Sequence, residues 1–193
     1  NMLDTPGYFD FVGEVKEGIR AADSALIVLS GRSGVSVGTE QAFKFATQKG
    51  VPIVFFVNKI DDQRANYQKT LEEMKATFGK AITPFVYPIK EGDEFKGFVD
   101  IVDMTARRYE GQDRVDIPVP DGMAETIAPL RDMIMEAVAE TDDALMNKYF
   151  NGEEFTFDEI KKAIRKGVKD GSIYPVYCGS GMNNIGVRSL MDG

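Results

Sequence analysis

Asn58-Lys59-Ile60-Asp61 follows directly on the apolar run Pro52 to Val57, so polar groups stand where a buried strand opens into a loop. A carboxylate there can accept two hydrogen bonds, from the ring N–H and the exocyclic amine of guanine. Adenine offers neither in that geometry and leaves a partly buried charge unpaired, a steep loss. The Lys59 stem can lie across a base plane, and Asn58 can hold neighbouring loops. Asn-Lys-x-Asp arises by chance in roughly a few per cent of chains of this length. The pattern reads as a guanine site.

Two further elements stand at comparable places. Asp4-Thr5-Pro6-Gly7 follows the short apolar start Met2-Leu3; alone it reads as an ordinary turn, because Asp, Pro and Gly all favour turns. Gly179-Ser180-Gly181 follows the apolar run Ile173 to Tyr177. Three elements, each at a strand's C-terminal end, match where ligands sit in open parallel α/β sheets.

The elements that must position them alternate as βαβαβα. Phe11, Val12, Val15, Ile19 and Ala22 recur at helical spacing over residues 9–22. Residues 24–29 are a continuous apolar run, expected for a strand covered on both faces. A Gly- and Ser-rich loop over 31–38 leads to a helix over 39–48, which Gly50 should stop. A second buried strand over 52–57 precedes an amphipathic helix over 64–78 that ends at Gly79. From Pro84 the character changes: extended runs over 85–89, 95–102 and 105–109 surround the turn-like Glu91-Gly92-Asp93. Helical stretches follow from Asp121-Gly122 to about Asp142, over 145–150, and over 157–168 behind Thr156 with an acidic first turn. Residues 85–171 are expected to form an α+β insertion in a separate lobe, and residues 173–177 the last core strand. No internal repeat or low-complexity segment interrupts this order.

Composition sets the bounds. The chain has 193 residues, 43% hydrophobic and 28% charged, values ordinary for a globular domain. No histidine occurs, which removes Ser-His-Asp chemistry, histidine metal sites and the usual neutral-pH general base. With a single cysteine, Cys178, no intramolecular disulfide or cysteine-rich zinc site can form, and a reducing, cytoplasmic setting is expected. No apolar run is long enough to span a membrane, and no secretory pattern opens the chain. A net charge of −8 argues against nucleic-acid binding by the whole surface. One predicted helix carries Lys161, Lys162, Arg165, Lys166 and Lys169, read as a solvated face rather than a local basic site.

Leu3-Asp4-Thr5-Pro6-Gly7-Tyr8-Phe9-Asp10-Phe11, Asn58-Lys59-Ile60-Asp61, Tyr177-Cys178-Gly179-Ser180-Gly181-Met182 and the insertion between them closely resemble the GTPase domain of the bacterial elongation factor G family. The resemblance covers essentially the whole chain. It implies an α/β fold of the P-loop GTPase type, with a mostly parallel sheet, residues 1–84 and 172–193 as a partial core, and residues 85–171 as the inserted subdomain. The implied function is ribosome-dependent GTP hydrolysis driving translocation in protein synthesis. The implied partners are guanine nucleotide and the ribosome, through rRNA and stalk proteins, and the implied cofactors are GTP or GDP with Mg²⁺. Carried over by position, Asp4 touches Mg²⁺ through water and Gly7 offers its N–H to the γ-phosphate, within the segment Asp4-Thr5-Pro6-Gly7. Asn58, Lys59 and Asp61 read guanine, and Ser180 and Gly181 present backbone amides to its carbonyl oxygen. The family usually has alanine at position 181; glycine keeps the amide and loosens the loop.

Two departures shape the expectation. Gly-x-x-x-x-Gly-Lys-[Ser/Thr] occurs nowhere in the chain, so the phosphate-cradling loop is absent from it. The polypeptide is therefore expected to be a fragment of the GTPase domain, inactive alone, nearly nucleotide-free, and binding guanine with about millimolar affinity. The second departure is Tyr8, where the family has a histidine that positions the attacking water. A phenol hydrogen-bonds water but is a poor base near neutral pH. Tyr8 either packs, or marks an elongation factor G-like paralogue that uses GTP as a slow ribosome-binding switch in recycling or protection.

Overall fold

A computed structural model describes residues 1–92, 94–110 and 113–192. Four parallel strands form the first sheet: β1 (Ala25–Ser30), β2 (Ile53–Asn58), β3 (Ile82–Pro84) and β8 (Tyr174–Cys178), in the order β1-β2-β8-β3. Full register holds β1 to β2, from Ala25↔Ile53 to Ser30↔Asn58. β8 pairs on both sides, Phe55↔Val176 with β2 and Ile82↔Tyr174 with β3. Helix α1 (Val12–Ala21) leads into β1, α2 (Val37–Lys49) joins β1 to β2, α3 (Tyr67–Phe78) joins β2 to β3, and a short α7 (Val187–Asp192) follows β8. Because the strands are parallel, all their C-terminal ends lie along one edge of the sheet.

Local chemistry explains the helix limits. Ser36 and Thr39 form a reciprocal capping box, so α2 begins two residues earlier than the predicted start at 39. Gly50 closes it at φ 72, the left-handed conformation glycine adopts without a Cβ penalty. α3 begins later than predicted, at Tyr67, because Asp62 folds residues 62–64 into a turn and Asn66 Oδ1 caps the helix through Lys69 N–H at 2.9 Å.

The second sheet is an antiparallel meander of β4 (Val86–Glu91), β5 (Glu94–Asp100), β6 (Thr105–Glu110) and β7 (Asp113–Ile117). The predicted turn at Glu91-Gly92-Asp93 lies at its first corner, with Gly92 at φ 61 and Asp93 outside the described residues. Helices α4 (Ala124–Ala139), α5 (Asp143–Phe150) and α6 (Phe157–Asp170) return the chain to β8. A second capping box, Thr156 with Glu159, opens α6, and Lys148 donates to the same Glu159 carboxylate at 2.7 Å. That ammonium first, then the Thr156 amide, hold Glu159 down to about 2. On α6, Ile160, Ala163 and Gly167 are buried, whereas the five basic residues are exposed or half-exposed.

One expectation is corrected, and the structure adds to the others. β1 is not covered on both faces: Ile27 and Leu29 are buried, but Leu26 is 48% and Val28 54% exposed, because α1 docks on α2 instead of over β1. Strands β3 and β7 escaped prediction: one is three residues long and ends in proline, and the other, Asp113–Ile117, is polar and largely exposed. The antiparallel sheet fits an inserted subdomain, and its apolar residues run on into those of the parallel sheet. Ile53, Phe55 and Val176 of the parallel sheet belong to the same apolar cluster as Phe98, Ile127 and Ile134. Phe85 N–H donates to Val176 O at 3.0 Å, and the buried Tyr67 hydroxyl donates to Val86 O at 2.9 Å. Tyr67→Phe should remove that fastening and lower unfolding stability by about 1 kcal/mol, read as a shifted denaturant midpoint with an unchanged slope.

Candidate functional site

The loops after β1, β2 and β8 converge at the C-terminal edge of the parallel sheet. Gly31 N–H donates to Asn58 O at 2.8 Å, Gly179 N–H to Val57 O at 3.0 Å, and Ile60 N–H to Gly179 O at 3.1 Å. The Asn58 side chain completes the junction. Its Oδ1 accepts from Lys59 N–H and from Gly181 N–H, both at 2.8 Å, tying together two loops 123 residues apart in sequence. Lys59 sits at φ 62, a left-handed backbone uncommon for a side chain of this kind and held here by its neighbours. Its side chain is exposed.

The loop after β8 is shaped by a reciprocal pair, Ser180 N–H to Ile185 O at 2.9 Å and Ile185 N–H to Ser180 O at 3.0 Å. The approach at Gly179 demands glycine, since a Cβ there would meet Ile185 O at 2.2 Å and the Phe56 ring at 2.9 Å. At Gly181 a Cβ would meet the Asn58 carboxamide at an ordinary 3.5 Å, so alanine would fit equally well. The expected presentation of two free amides to a base is not what the loop displays. Ser180 N–H is engaged by Ile185 and Gly181 N–H by Asn58, the acceptors nearest to each.

Asp61 stands half-exposed beside this loop, and Asn183 Nδ2 donates to its Oδ2 at 3.1 Å. The adjacent Asp62 takes the cations instead, with Arg64 at 3.3 Å and Arg32 at 3.7 Å. The Arg64 backbone N–H first, and its guanidinium next, hold Asp62 below the usual carboxylate range. An open cleft of about 310 Å³ runs past Asp61, Gln63 and Asn183 to Glu94, Phe95 and Lys96 of β5. Asn183 was missed by sequence reasoning; its only signal was a carboxamide two residues beyond Gly181. Below the loop, Cys178 is buried, and that burial pushes its thiol up.

The Asp4–Tyr8 segment has no hydrogen bond to the loops after β2 and β8 among the described residues. Thr5 and Pro6 are half-buried, and Thr5 rests on α1 so closely that a Cβ on Gly18 would come within 2.6 Å of its methyl. The Gly7 carbonyl approaches the first turn of α2, 3.2 Å from where a Cβ on Gly38 would stand. Asp4 and Gly7 are exposed. Tyr8 is 79% exposed, so it does not pack; its carbonyl accepts from Phe11 N–H at 3.0 Å and starts a short 3-10 turn.

All of residues 1–193 match the family model of the elongation factor Tu GTP binding domain, and the chain belongs to that family of GTP-binding domains. Within it, the chain is similar over its whole length to proteins named elongation factor G or elongation factor G-like. It is 38% identical over 195 residues to elongation factor G of Ureaplasma urealyticum serovar 10, an alignment covering 100% of this chain and 28% of that protein. It is 36% identical over 191 residues to an elongation factor G-like protein of Thermotoga maritima, covering 99% of this chain and 27% of the relative. A crystal structure of a Thermus thermophilus protein matches with a TM-score of 0.91 at 39% identity, over 98% of this chain and 28% of the other. The chain thus spans about 28% of the length of these relatives. No helix among the described residues is long and apolar enough to cross a membrane.

If Asn58 is the tie between the loops, Asn58→Ala should free two amides without opening the sheet. Amide exchange at Gly181 and Lys59 should quicken several-fold while that of Phe55 and Val176 stays slow, measurable by hydrogen–deuterium exchange.

Proposed function

We propose that the protein carrying this domain is a ribosome-dependent GTPase that drives translocation in protein synthesis. The observation that supports the reading is the junction at Asn58, whose side-chain oxygen joins the Lys59 and Gly181 amides at the sheet's C-terminal edge, with Asp61 bonded to Asn183 of the same loop. In this assignment Asp61 accepts from the ring N–H and amine of guanine, and the Lys59 stem covers the base. Ser180 lies under the loop, and Gly181 N–H turns from Asn58 Oδ1 to the base carbonyl. Residues 1–84 and 172–193 act as the GTPase core, and residues 85–171 as the inserted subdomain.

The residues also fit a nucleotide-borne Mg²⁺. No cluster of three or more metal-ligating side chains occurs among the described residues, whereas Asp4 is an exposed carboxylate. Mg²⁺ is commonly held by one or two carboxylates together with phosphate oxygens, so a single acidic residue suffices. When bound, GTP with Mg²⁺ supplies the phosphoryl group and neutralises its charge. Asp4 would hold the Mg²⁺ through a water, Thr5 and Pro6 would shape the turn, and Gly7 would offer its N–H to the terminal phosphate. Without a phosphate loop in residues 1–193, this stretch alone binds guanine nucleotide weakly and does not turn it over.

Tyr8 favours a second reading, an elongation factor G-like paralogue in which GTP binding acts as a slow switch for ribosome recycling or protection. Its exposure leaves the phenol free to hold a water, which a packed side chain could not do.

Asp61→Asn in the full-length protein should weaken GTP and improve xanthosine triphosphate, since the amide donates where xanthine accepts. Nucleotide competition reads the exchange, and a merely damaged fold would lose both. Tyr8→His should raise ribosome-stimulated turnover about tenfold, equal to about 1.4 kcal/mol of transition-state stabilisation, without changing nucleotide affinity. Unchanged or lower turnover would remove the slow-switch reading.

A further inference from the structure

Asp61 has one hydrogen-bond partner among the described residues, Asn183, whose Nδ2 donates to Oδ2 at 3.1 Å. Both nearby arginines are turned to Asp62, so nothing cationic fixes the Asp61 carboxylate. A carboxylate only accepts, so the amide nitrogen of Asn183 must be the atom that faces it. The loop itself delivers Asn183 there: its own N–H donates to the buried Ser180 Oγ at 3.2 Å, and the next residue, Asn184, turns left-handed at φ 55. The side chain is exposed at the mouth of the cleft that runs toward β5, so it is not wedged in a core.

We propose that Asn183 is a positioning residue that sets guanine specificity by fixing the plane of the Asp61 carboxylate. The inference rests on the reading of Asp61 as the guanine acceptor. An ionised carboxylate offers about four lone-pair sites, and Asn183 occupies one, leaving room for both guanine donors. A neutral amide orients the group without cancelling its charge, which stays available to the base. Freed from Asn183, the carboxylate turns about a broad two-fold torsion, and a contact that needs both oxygens at once suffers first. A base that uses only one oxygen loses less.

Equilibrium binding of GDP and inosine diphosphate to the full-length protein tests this, since hypoxanthine keeps the ring N–H and lacks the exocyclic amine. Asn183→Ala should weaken GDP by about tenfold and inosine diphosphate by clearly less, so that the ratio of the two affinities falls. Asn183→Asp keeps the shape, removes the donor and adds a repelling charge; it should lower the ratio at least as far. Both changes are at an exposed position and should leave the melting temperature unchanged. Equal losses for the two nucleotides, or an unchanged ratio in both variants, would overturn the proposal and leave Asn183 a loop-shaping residue. Asp61→Asn, with xanthosine diphosphate added to the same assay, separates the levels. If it keeps guanine over xanthine, the base reading fails and the inference with it. If it switches to xanthine while the Asn183 variants leave the ratio untouched, the inference alone fails.

Discussion

β8 has to fit between β2 and β3, and the remainder of the architecture follows from that constraint. Both of its neighbours run parallel to it, so a chain leaving the C-terminal end of β3 must return across the sheet before β8 can begin. Residues 85–173 make that return. The antiparallel meander lies where β3 ends, and α4 and α6 bring the chain back against β3 and β8. Tyr174 N–H then closes on Ala81 O at 2.7 Å. An insertion that serves as a crossover has to share its interior with the sheet it crosses, hence one apolar cluster rather than two.

The same geometry explains why the meander borders the loops after β2 and β8. Parallel strands gather their C-terminal ends on one edge, so the loops after β1, β2 and β8 and the start of β4 emerge together. Glu94, Phe95 and Lys96 consequently form the far wall of the cleft beside Asp61. Elements separated by most of the chain become neighbours through strand order alone. The backbone cost is local, with Lys59 and Asn184 held in the left-handed region where the loops must bend sharply.

The parts legible in sequence were those governed by short-range rules. Apolar runs bounded by glycine marked β1, β2 and β8, while Gly50 and Thr156 marked helix ends through conformational and capping preferences. The place of the Asn58–Asp61 loop was legible because it directly follows a buried apolar strand. Long-range facts were not. Nothing in Leu26 or Val28 tells that α1 will dock on α2 and leave one face of β1 exposed. The polar β7 has no periodic signature, since it pairs at the end of a meander through backbone bonds rather than burial. The Asn183–Asp61 contact depends on a loop whose course is set by Ser180 and Ile185, and no spacing rule connects positions 61 and 183.

Cys178 illustrates a different kind of usefulness. It is the sole thiol in the sequence, lies fully inside the central strand next to Gly179, and its burial disfavours the thiolate. A reagent that attacks only thiolates must wait for β8 to part from its neighbours, so labelling is gated by opening rather than by intrinsic reactivity. The molecule therefore carries its own stopwatch. The alkylation half-life at this single atom reports how readily β8 comes loose from its neighbours, with no residue added to the protein.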